Sequence, residues 1–154
     1  TGDYDPTILG SALHAVIATT ILGQNATHRV LRDHDMHNTI SVEAADDSAK
    51  RLIDRLDERF TPLHYYTEFP LYYTTDDGQV VSGWIDLLVE TPEGFVLIDH
   101  KASPRARSDW EEIALGYSGQ LEAYSEGISR ATGKPVASRW IHFAVTGGMV
   151  EVVV

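Results

Sequence analysis

Residues 83–101, GWIDLLVETPEGFVLIDHK, contain two apolar segments on either side of a turn, and they decide the fold of this chain. The turn Thr91-Pro92-Glu93-Gly94 has Pro at its second position and Gly at its fourth, as type I turns prefer. Apolar and β-branched residues on both sides favour strands over Val80 to Glu90 and over Gly94 to Lys101. We therefore predict an antiparallel hairpin.

The register of this hairpin determines how its two aspartates meet. With a two-residue loop, position 90 faces position 95, and counting back places Asp86 directly opposite Asp99. Opposed side chains have Cβ atoms roughly 4.5–5.5 Å apart, and like charges at that separation destabilise a sheet. Because a divalent cation held by carboxylate oxygens offsets such repulsion, the pair indicates a metal site.

A second register is open at this point. If the loop has three residues, with a bulge at Gly94, position 91 faces position 95 and Asp86 opposes His100. Without a compensating bulge the two acids then lie on opposite faces of the hairpin. That register would separate the carboxylates and break a shared metal site.

Lys101 adds a cation to the aspartate pair. The alternation of side chains along a strand sends Asp99 and Lys101 to one face and His100 to the other. A lysine beside a metal can orient a water molecule or neutralise charge that develops on a phosphate. The alternative is an ordinary salt bridge between Lys101 and one of the aspartates.

Length and composition fit one domain, residues 1–154, with a sizeable core, since the chain has 154 residues and 43% hydrophobic content. The first residue is Thr1, so we expect a domain that could be excised from a longer polypeptide. No apolar run approaches the ~18 residues of a membrane helix, and no signal segment opens the chain. We expect a cytoplasmic protein that does not contact a membrane.

The charge balance is strongly acidic. A net charge of −11 argues against a broad basic surface for nucleic acid, although it leaves a local one open. The acidity is either a solubility device or an adaptation to a salty cytoplasm. The absence of cysteine from the sequence excludes disulfides, thiolate zinc sites and iron–sulfur clusters in this segment.

Two helices are predicted before the hairpin. Apolar residues recur at helical spacing from Thr7 to about Thr19, with His14 among them, where a lone histidine is more often a core residue than a ligand. The second helix is capped by Asp46 or Asp47 and stopped by Pro62. Between these helices we expect a loop or short helical pieces. The histidines of that region decorate loops or, as an alternative, form a metal site from His28, His34 and His37.

The rest of the chain alternates strands and one long helix. Its predicted elements are strands Tyr65 to Tyr73, Ala137 to Val145 and Met149 to Val154, and a helix from Glu111 to Thr132. The whole order is α, α, β, β, β, α, β, β, which predicts an α+β, three-layer domain. A right-handed crossover through the long helix would make the strand after it parallel to its neighbour.

Polar residues also fall at unexpected places in these elements. Tyr117, Gln120 and Tyr124 share one face of the long helix at spacings of three and four, although packed tyrosines with hydroxyls at the rim would look the same. Glu68 lies in the middle of a strand, two residues before Pro70, where a surface glutamate is the ordinary account. Taken singly, these residues point to no particular chemistry.

Together, the motifs resemble the PD-(D/E)XK nuclease superfamily, most closely the RecB-like domain at the C-terminus of RecB and AddA helicase–nucleases. Any one motif is weak, but their order and spacing over nearly the whole chain are specific. The matching segments are Gly10-Ser11-Ala12-Leu13-His14 in the opening helix, Glu68-Phe69-Pro70 in the first strand, Gly83-Trp84-Ile85-Asp86-Leu87-Leu88 and Ile98-Asp99-His100-Lys101 in the catalytic strands, and Tyr117-Ser118-Gly119-Gln120-Leu121-Glu122-Ala123-Tyr124 in the QxxxY helix.

The resemblance implies a restriction-endonuclease-like core, with a central mixed β-sheet flanked by helices, and a divalent cation site. The ligands it implies are His14, Asp86, Asp99 and the backbone carbonyl of His100, with Lys101 positioning the attacking water. Hard oxygen ligands and one imidazole suit Mg²⁺ or Mn²⁺. A related branch carries a cysteine-bound iron–sulfur cluster, and this chain departs from that branch because it has no cysteine.

Further roles follow from the same resemblance. Gln120 and Tyr124 would line the site and steady the substrate or Lys101, and Glu68 would be an additional catalytic acid. The candidate DNA contacts are Arg105, Arg107 and Tyr117.

The activity implied by the resemblance is that of a metal-dependent deoxyribonuclease, by expectation an exonuclease. It would act on single-stranded or unwinding duplex DNA during double-strand break repair and recombination. A helicase motor, in cis or in trans, would supply DNA affinity through effective concentration. The alternative is a catalytically inactive nuclease-like module that has a structural or DNA-guiding role in a larger complex.

Overall fold

The computed structural model describes residues 4–102 and 107–153. These residues form two compact units, one of residues 4–60, 100–102 and 142–148, the other of residues 61–99, 107–141 and 149–153. No helix in the described ranges combines the length and the apolar character needed to cross a membrane. The expectation that residues 1–154 act as one domain stays a prediction.

The first unit contains three helices, α1 (Pro6–Ile21), α2 (Thr27–Asp33) and α3 (Val42–Phe60). Helix α1 begins at Pro6 because the side chain of Asp5 accepts a hydrogen bond of 2.9 Å from the backbone N–H of Thr7. Helices α1 and α3 bury one apolar face each, and the other face of α3 is charged. Their buried residues are Ala12, Leu13, Val16, Ile17, Ala45, Ala49, Leu52 and Leu56.

The start of α3 differs from the sequence prediction. The helix begins at Val42, and the cap is Ser41, whose hydroxyl accepts a hydrogen bond of 3.1 Å from the backbone N–H of Ala44. Asp46 lies inside the helix and accepts a hydrogen bond from the hydroxyl of Thr27. A start at Asp46 or Asp47 was therefore wrong. The short helix α2 confirms the expectation of helical pieces in the region before α3.

The strands form one mixed sheet in the order β1-β2-β3-β4-β5. Strand pairs β1–β2 and β2–β3 are antiparallel, while β3 and β4 are neighbours joined through helix α4. The sequence prediction of an α+β fold is confirmed, with α2 as an additional short helix. The elements are β1 (His64–Thr74), β2 (Val80–Thr91), β3 (Gly94–Lys101), a 3₁₀ turn (Arg107–Asp109), α4 (Trp110–Thr132), β4 (Val136–Phe143) and β5 (Gly148–Glu151).

The turn between β2 and β3 has two loop residues, as predicted. Glu90 pairs with Phe95, and Thr91 pairs with Gly94, so the register with a three-residue loop is excluded. The hydroxyl of Thr91 donates a hydrogen bond of 2.7 Å to the carbonyl of Gly94. Gly94 has φ of 132°, and a Cβ there would lie 2.5 Å from the carbonyl oxygen of Pro135. Glycine is therefore required on both conformational and steric grounds.

Helix α4 packs on β1 through Gly127. The hydroxyl of Tyr73 donates a hydrogen bond of 2.6 Å to the carbonyl of Ala123 on this helix. A Cβ at position 127 would lie 2.7 Å from the ring of Tyr73 and 2.9 Å from the side chain of Leu71. Because this contact is tight, the helix approaches the sheet closely only with glycine at position 127.

Two glycine substitutions on α4 should change stability in opposite directions. Gly127→Ala should lower the free energy of unfolding by about 1–3 kcal/mol, because the added methyl group overlaps Tyr73. Gly116→Ala should raise it by about 0.5–1 kcal/mol, since nothing lies within 4 Å and alanine favours a helix. Urea unfolding followed by circular dichroism measures both. Effects of the same sign would contradict this description of the helix–sheet contact.

Candidate active site

Asp86 and Asp99 occupy facing positions on β2 and β3. Leu87 pairs with Ile98, and the same register, continued by one residue, places Asp86 opposite Asp99. Both aspartates are half-buried and adjoin buried apolar residues, and the Oδ2 atom of Asp99 is itself buried. The predicted register is therefore confirmed. Two carboxylates in this setting need a compensating positive charge.

Glu68 extends the pair into a row of three acids across the sheet. Thr67 pairs with Leu87 and Phe69 with Ile85, which places Glu68 opposite Asp86. We call Glu68, Asp86 and Asp99 the acidic row. Glu68 is exposed and has φ of 50°, in the left-handed region that costs a residue with a Cβ about 1–3 kcal/mol. Backbone strain of this kind is frequent at functional sites.

The first unit contributes a pocket at the N-terminal part of α1. A Cβ on Gly10 would run into Ala102, with the Ala102 Cα only 3.0 Å away, so this helix can approach residue 102 only because position 10 is glycine. His14 follows one helical turn later on the same face. The pocket has a volume of about 220 Å³ and is lined by Thr7, Gly10, Ser11, His14, His100, Lys101 and Ala102.

Three histidine rings stack inside the first unit. The ring centroids of His14 and His100 are 4.8 Å apart, and those of His100 and His142 are 4.9 Å apart. The Nδ1 atoms of His100 and His142 lie 2.8 Å apart, so one ring donates a hydrogen bond and the other accepts it. The hydrogen bond therefore links the tautomers of these two rings.

Burial keeps two of these rings uncharged at neutral pH. Burial lowers the pKa of His100 well below its usual value, and the neighbouring His142 and His14 lower it further. Burial also lowers the pKa of His142 to about 4, with smaller contributions from Arg55 and His14. A stack that stays neutral does not repel a cation as charged imidazoles would.

Sequence analysis did not single out His142. Its only signal is a polar residue in the buried segment Trp140-Ile141-His142-Phe143, and a buried histidine needs a hydrogen-bond partner. The partner is 42 residues earlier in the chain, so local sequence could not identify it.

The QxxxY residues of α4 contact β2 within the second unit. The amide Nε2 of Gln120 donates a hydrogen bond of 3.1 Å to the hydroxyl of Tyr124. Gln120 is exposed and Tyr124 is 9% exposed. The Tyr124 hydroxyl occupies the place where a Cβ of residue 83 would stand, which accounts for Gly83. The motif therefore touches β2 three residues before Asp86.

The predicted DNA contacts are described only in part. Arg105 lies outside the described residues, and of Arg107 only the backbone is described, as the first residue of the 3₁₀ turn. Tyr117 is half-buried in α4.

The predicted site residues are distributed over both units. His14, His100 and Lys101 lie in the first unit, whereas the acidic row, Gln120 and Tyr124 lie in the second. Each group is described within its own unit, and the complete ligand set stays a prediction.

The donor chemistry of the acidic row fits Mg²⁺. Over residues 4–102 and 107–153, no three His, Asp or Glu side chains form a preassembled metal site, and this includes the alternative of His28, His34 and His37. Mg²⁺ usually takes only one or two carboxylates and completes its shell with water and substrate phosphate. Opposed Asp86 and Asp99, with a buried oxygen on Asp99, meet that requirement.

Comparison with known proteins agrees with this geometry. The family model of the PD-(D/E)XK nuclease superfamily matches residues 1–153. Several bacterial relatives carry the name of the larger, A-type component of an ATP-dependent helicase/nuclease. The one from Levilactobacillus brevis is 28% identical over 88 residues, which is 54% of this chain and 7% of that protein. The Clostridium botulinum protein is 32% identical over 80 residues, covering 52% and 6% of the two chains.

The Pelotomaculum thermopropionicum protein of the same name is 32% identical over 71 residues, which is 46% of this chain and 6% of that protein. The matched region is thus a small part, 6% or 7%, of the length of these relatives. The family match, by contrast, extends over nearly every residue of the chain and contains all the motifs discussed above. This chain belongs to the PD-(D/E)XK nuclease superfamily.

Proposed function

We propose that residues 1–154 are one nuclease domain that hydrolyses DNA phosphodiester bonds with the help of Mg²⁺ or Mn²⁺. In this reaction the oxygen of water forms a bond to phosphorus, and the bond from phosphorus to the leaving sugar oxygen breaks. The observation that carries the proposal is the β2–β3 register, which sets Asp86 opposite Asp99 in a member of a nuclease superfamily.

The proposed cation ligands are the two opposed carboxylates, the imidazole of His14 and the backbone carbonyl of His100. The chemistry that a bound Mg²⁺ supplies in such a site is activation of water and stabilisation of negative charge on the scissile phosphate. Asp86 and Asp99 lose their mutual repulsion when they share a cation. The low pKa of His100 supports the assignment, because it keeps added positive charge out of the histidine stack.

The other proposed site residues act on water and substrate. Lys101 follows Asp99 by two residues on β3, so its ammonium group can orient the attacking water and offset charge on the phosphate. Gln120 and Tyr124 would steady Lys101 or the substrate, and their mutual hydrogen bond supports a shared role. Glu68 would act as a third acid at the end of the acidic row.

We further propose that the natural substrate is single-stranded or unwinding duplex DNA delivered by a helicase motor, and that cleavage is exonucleolytic. The names of the relatives support a helicase association. A motor in the same complex would also raise the effective DNA concentration at a domain whose net charge is −11. Sequencing the intact polypeptide for a phosphate-binding GxxxxGK[ST] loop would test a tether in cis.

Removing the proposed ligands and the lysine should abolish cleavage. Asp99→Asn and Lys101→Met should each reduce the rate by about 100-fold or more, because each removes charge that stabilises the transition state. The measurement is digestion of linear single- and double-stranded DNA in Mg²⁺ or Mn²⁺. The control is Asp54→Asn, which removes an exposed carboxylate from α3 and should cleave like the unmodified chain. Equal cleavage by all four proteins would rule out the catalytic assignment.

Metal binding can be tested without DNA. Mn²⁺ at 100 times its Kd should stabilise the chain by about 2.7 kcal/mol, which is roughly 5–10 °C in Tm for a chain of this size. Asp86→Asn should lose most of this shift, because it removes one of the two opposed carboxylates. Asp54→Asn should keep it. Differential scanning calorimetry with Mn²⁺ and with EDTA measures the difference, and an undiminished shift in Asp86→Asn contradicts the ligand assignment.

A further inference from the structure

An exposed aromatic surface lies on the β1–β2 hairpin within the second unit. Trp84 is 64% exposed and Tyr72 is 74% exposed. Trp84 pairs with Pro70, and Tyr72 pairs with Ser82, so the two aromatic residues occupy adjacent cross-strand rows in diagonal positions. Side chains in such positions are within reach of each other. Large exposed apolar groups that cluster in this way often mark a binding surface.

The aromatic surface continues into the acidic row. Trp84 precedes Asp86 by two residues on β2, and Pro70 follows Glu68 by two residues on β1. Because side chains alternate between faces, positions two apart share a face, and the separation is roughly 6.6 Å at 3.3 Å per residue. An extended nucleotide covers such a distance. A strand whose phosphate lies at the acidic row can therefore place its neighbouring base over Trp84.

Charge favours stacking over phosphate contacts here. DNA affinity that depends on phosphate requires Lys and Arg, and this chain has a net charge of −11. Stacking of a base on an aromatic ring needs no cation and contributes about 1–3 kcal/mol per base. In duplex DNA the faces of the bases are covered by neighbouring bases, so exposed rings can bind single strands selectively.

We propose that Trp84 and Tyr72 form a base-stacking platform that holds single-stranded DNA beside the acidic row. The proposal rests on the deoxyribonuclease function proposed above, and it specifies that the preferred substrate is a single strand bound mainly through its bases. Trp84, nearest to Asp86, takes the base next to the scissile phosphate, and Tyr72 takes the following base.

The central experiment compares Trp84→Ala with the unmodified 154-residue chain on a thymidine oligonucleotide. KM should rise roughly 5- to 150-fold, the equivalent of about 1–3 kcal/mol of lost stacking, while kcat changes little. Trp84→Phe should restore most of the affinity, because phenylalanine also stacks. Leu63→Ala, at a side chain that is 61% exposed outside the platform, should leave KM unchanged. Because Trp84 is exposed, its substitution should not prevent folding.

A second oligonucleotide identifies the base as the contacted group. An abasic tetrahydrofuran residue next to the scissile phosphate should raise KM for the unmodified chain about as much as Trp84→Ala does. It should have no further effect on the Trp84→Ala variant, because the stacking contact is already lost. Independent, additive effects would overturn the platform.

Binding measured without cleavage separates this inference from the proposed function. Fluorescence anisotropy of a labelled thymidine oligonucleotide in EDTA should show weaker binding by Trp84→Ala whether or not the chain hydrolyses DNA. Equal affinity of Trp84→Ala and the unmodified chain would overturn the platform, including the case in which the surface binds a protein partner. Failure of the catalytic assignment appears instead as unchanged cleavage in Asp99→Asn.

Discussion

The placement of Asp86 opposite Asp99 depends on a single constraint, the two-residue turn between β2 and β3. A shift of one residue in this register would send every side chain of one strand to the other face. The turn is fixed at both ends: Thr91 donates a hydrogen bond to Gly94, and Gly94 lies against the backbone of Pro135 where a side chain could not fit. The register is therefore held by backbone contacts, although the carboxylates that it opposes repel each other.

This repulsion distinguishes functional from structural selection at the hairpin. Ile85, Leu87 and Ile98 around the aspartates are at most 1% exposed, so apolar residues at the aspartate positions would stabilise the sheet better than two like charges. The strained backbone of Glu68, next in the acidic row, adds a further cost. Costs that accumulate in one row of a sheet are expected where the row binds a charged ligand.

The sequence predicted those features that depend on local chemistry. The Pro and Gly of the turn determined the register, and Gly133 after the long helix marked the end of α4, where it adopts φ of 74°. The start of α3 was missed because Ser41 and Asp46 are both good capping residues, and a hydrogen bond from Thr27 engages Asp46 elsewhere. Contacts between distant segments could not be predicted in this way. The hydrogen bond between His100 and His142 joins residues far apart in sequence, and so does the contact of Tyr124 with Gly83. Composition and periodicity carry information about which residues are buried, but not about which buried residues meet.

The electrostatics of the site limit how an acidic chain can hold DNA. Desolvation favours the neutral form of His100 and His142, so the histidine stack contributes lone pairs and N–H groups without adding charge. The local potential is then set by the carboxylates and by whatever cation they bind. A phosphate bound tightly by surrounding arginines would have to be pulled toward carboxylates before cleavage. Stacking avoids this conflict, because it acts on the neutral base and leaves the phosphate to the cation between the acids. Exposed Trp84, two residues from Asp86, is placed to divide the work in this way: the ring holds the base, and the carboxylates hold the ion that meets the phosphate.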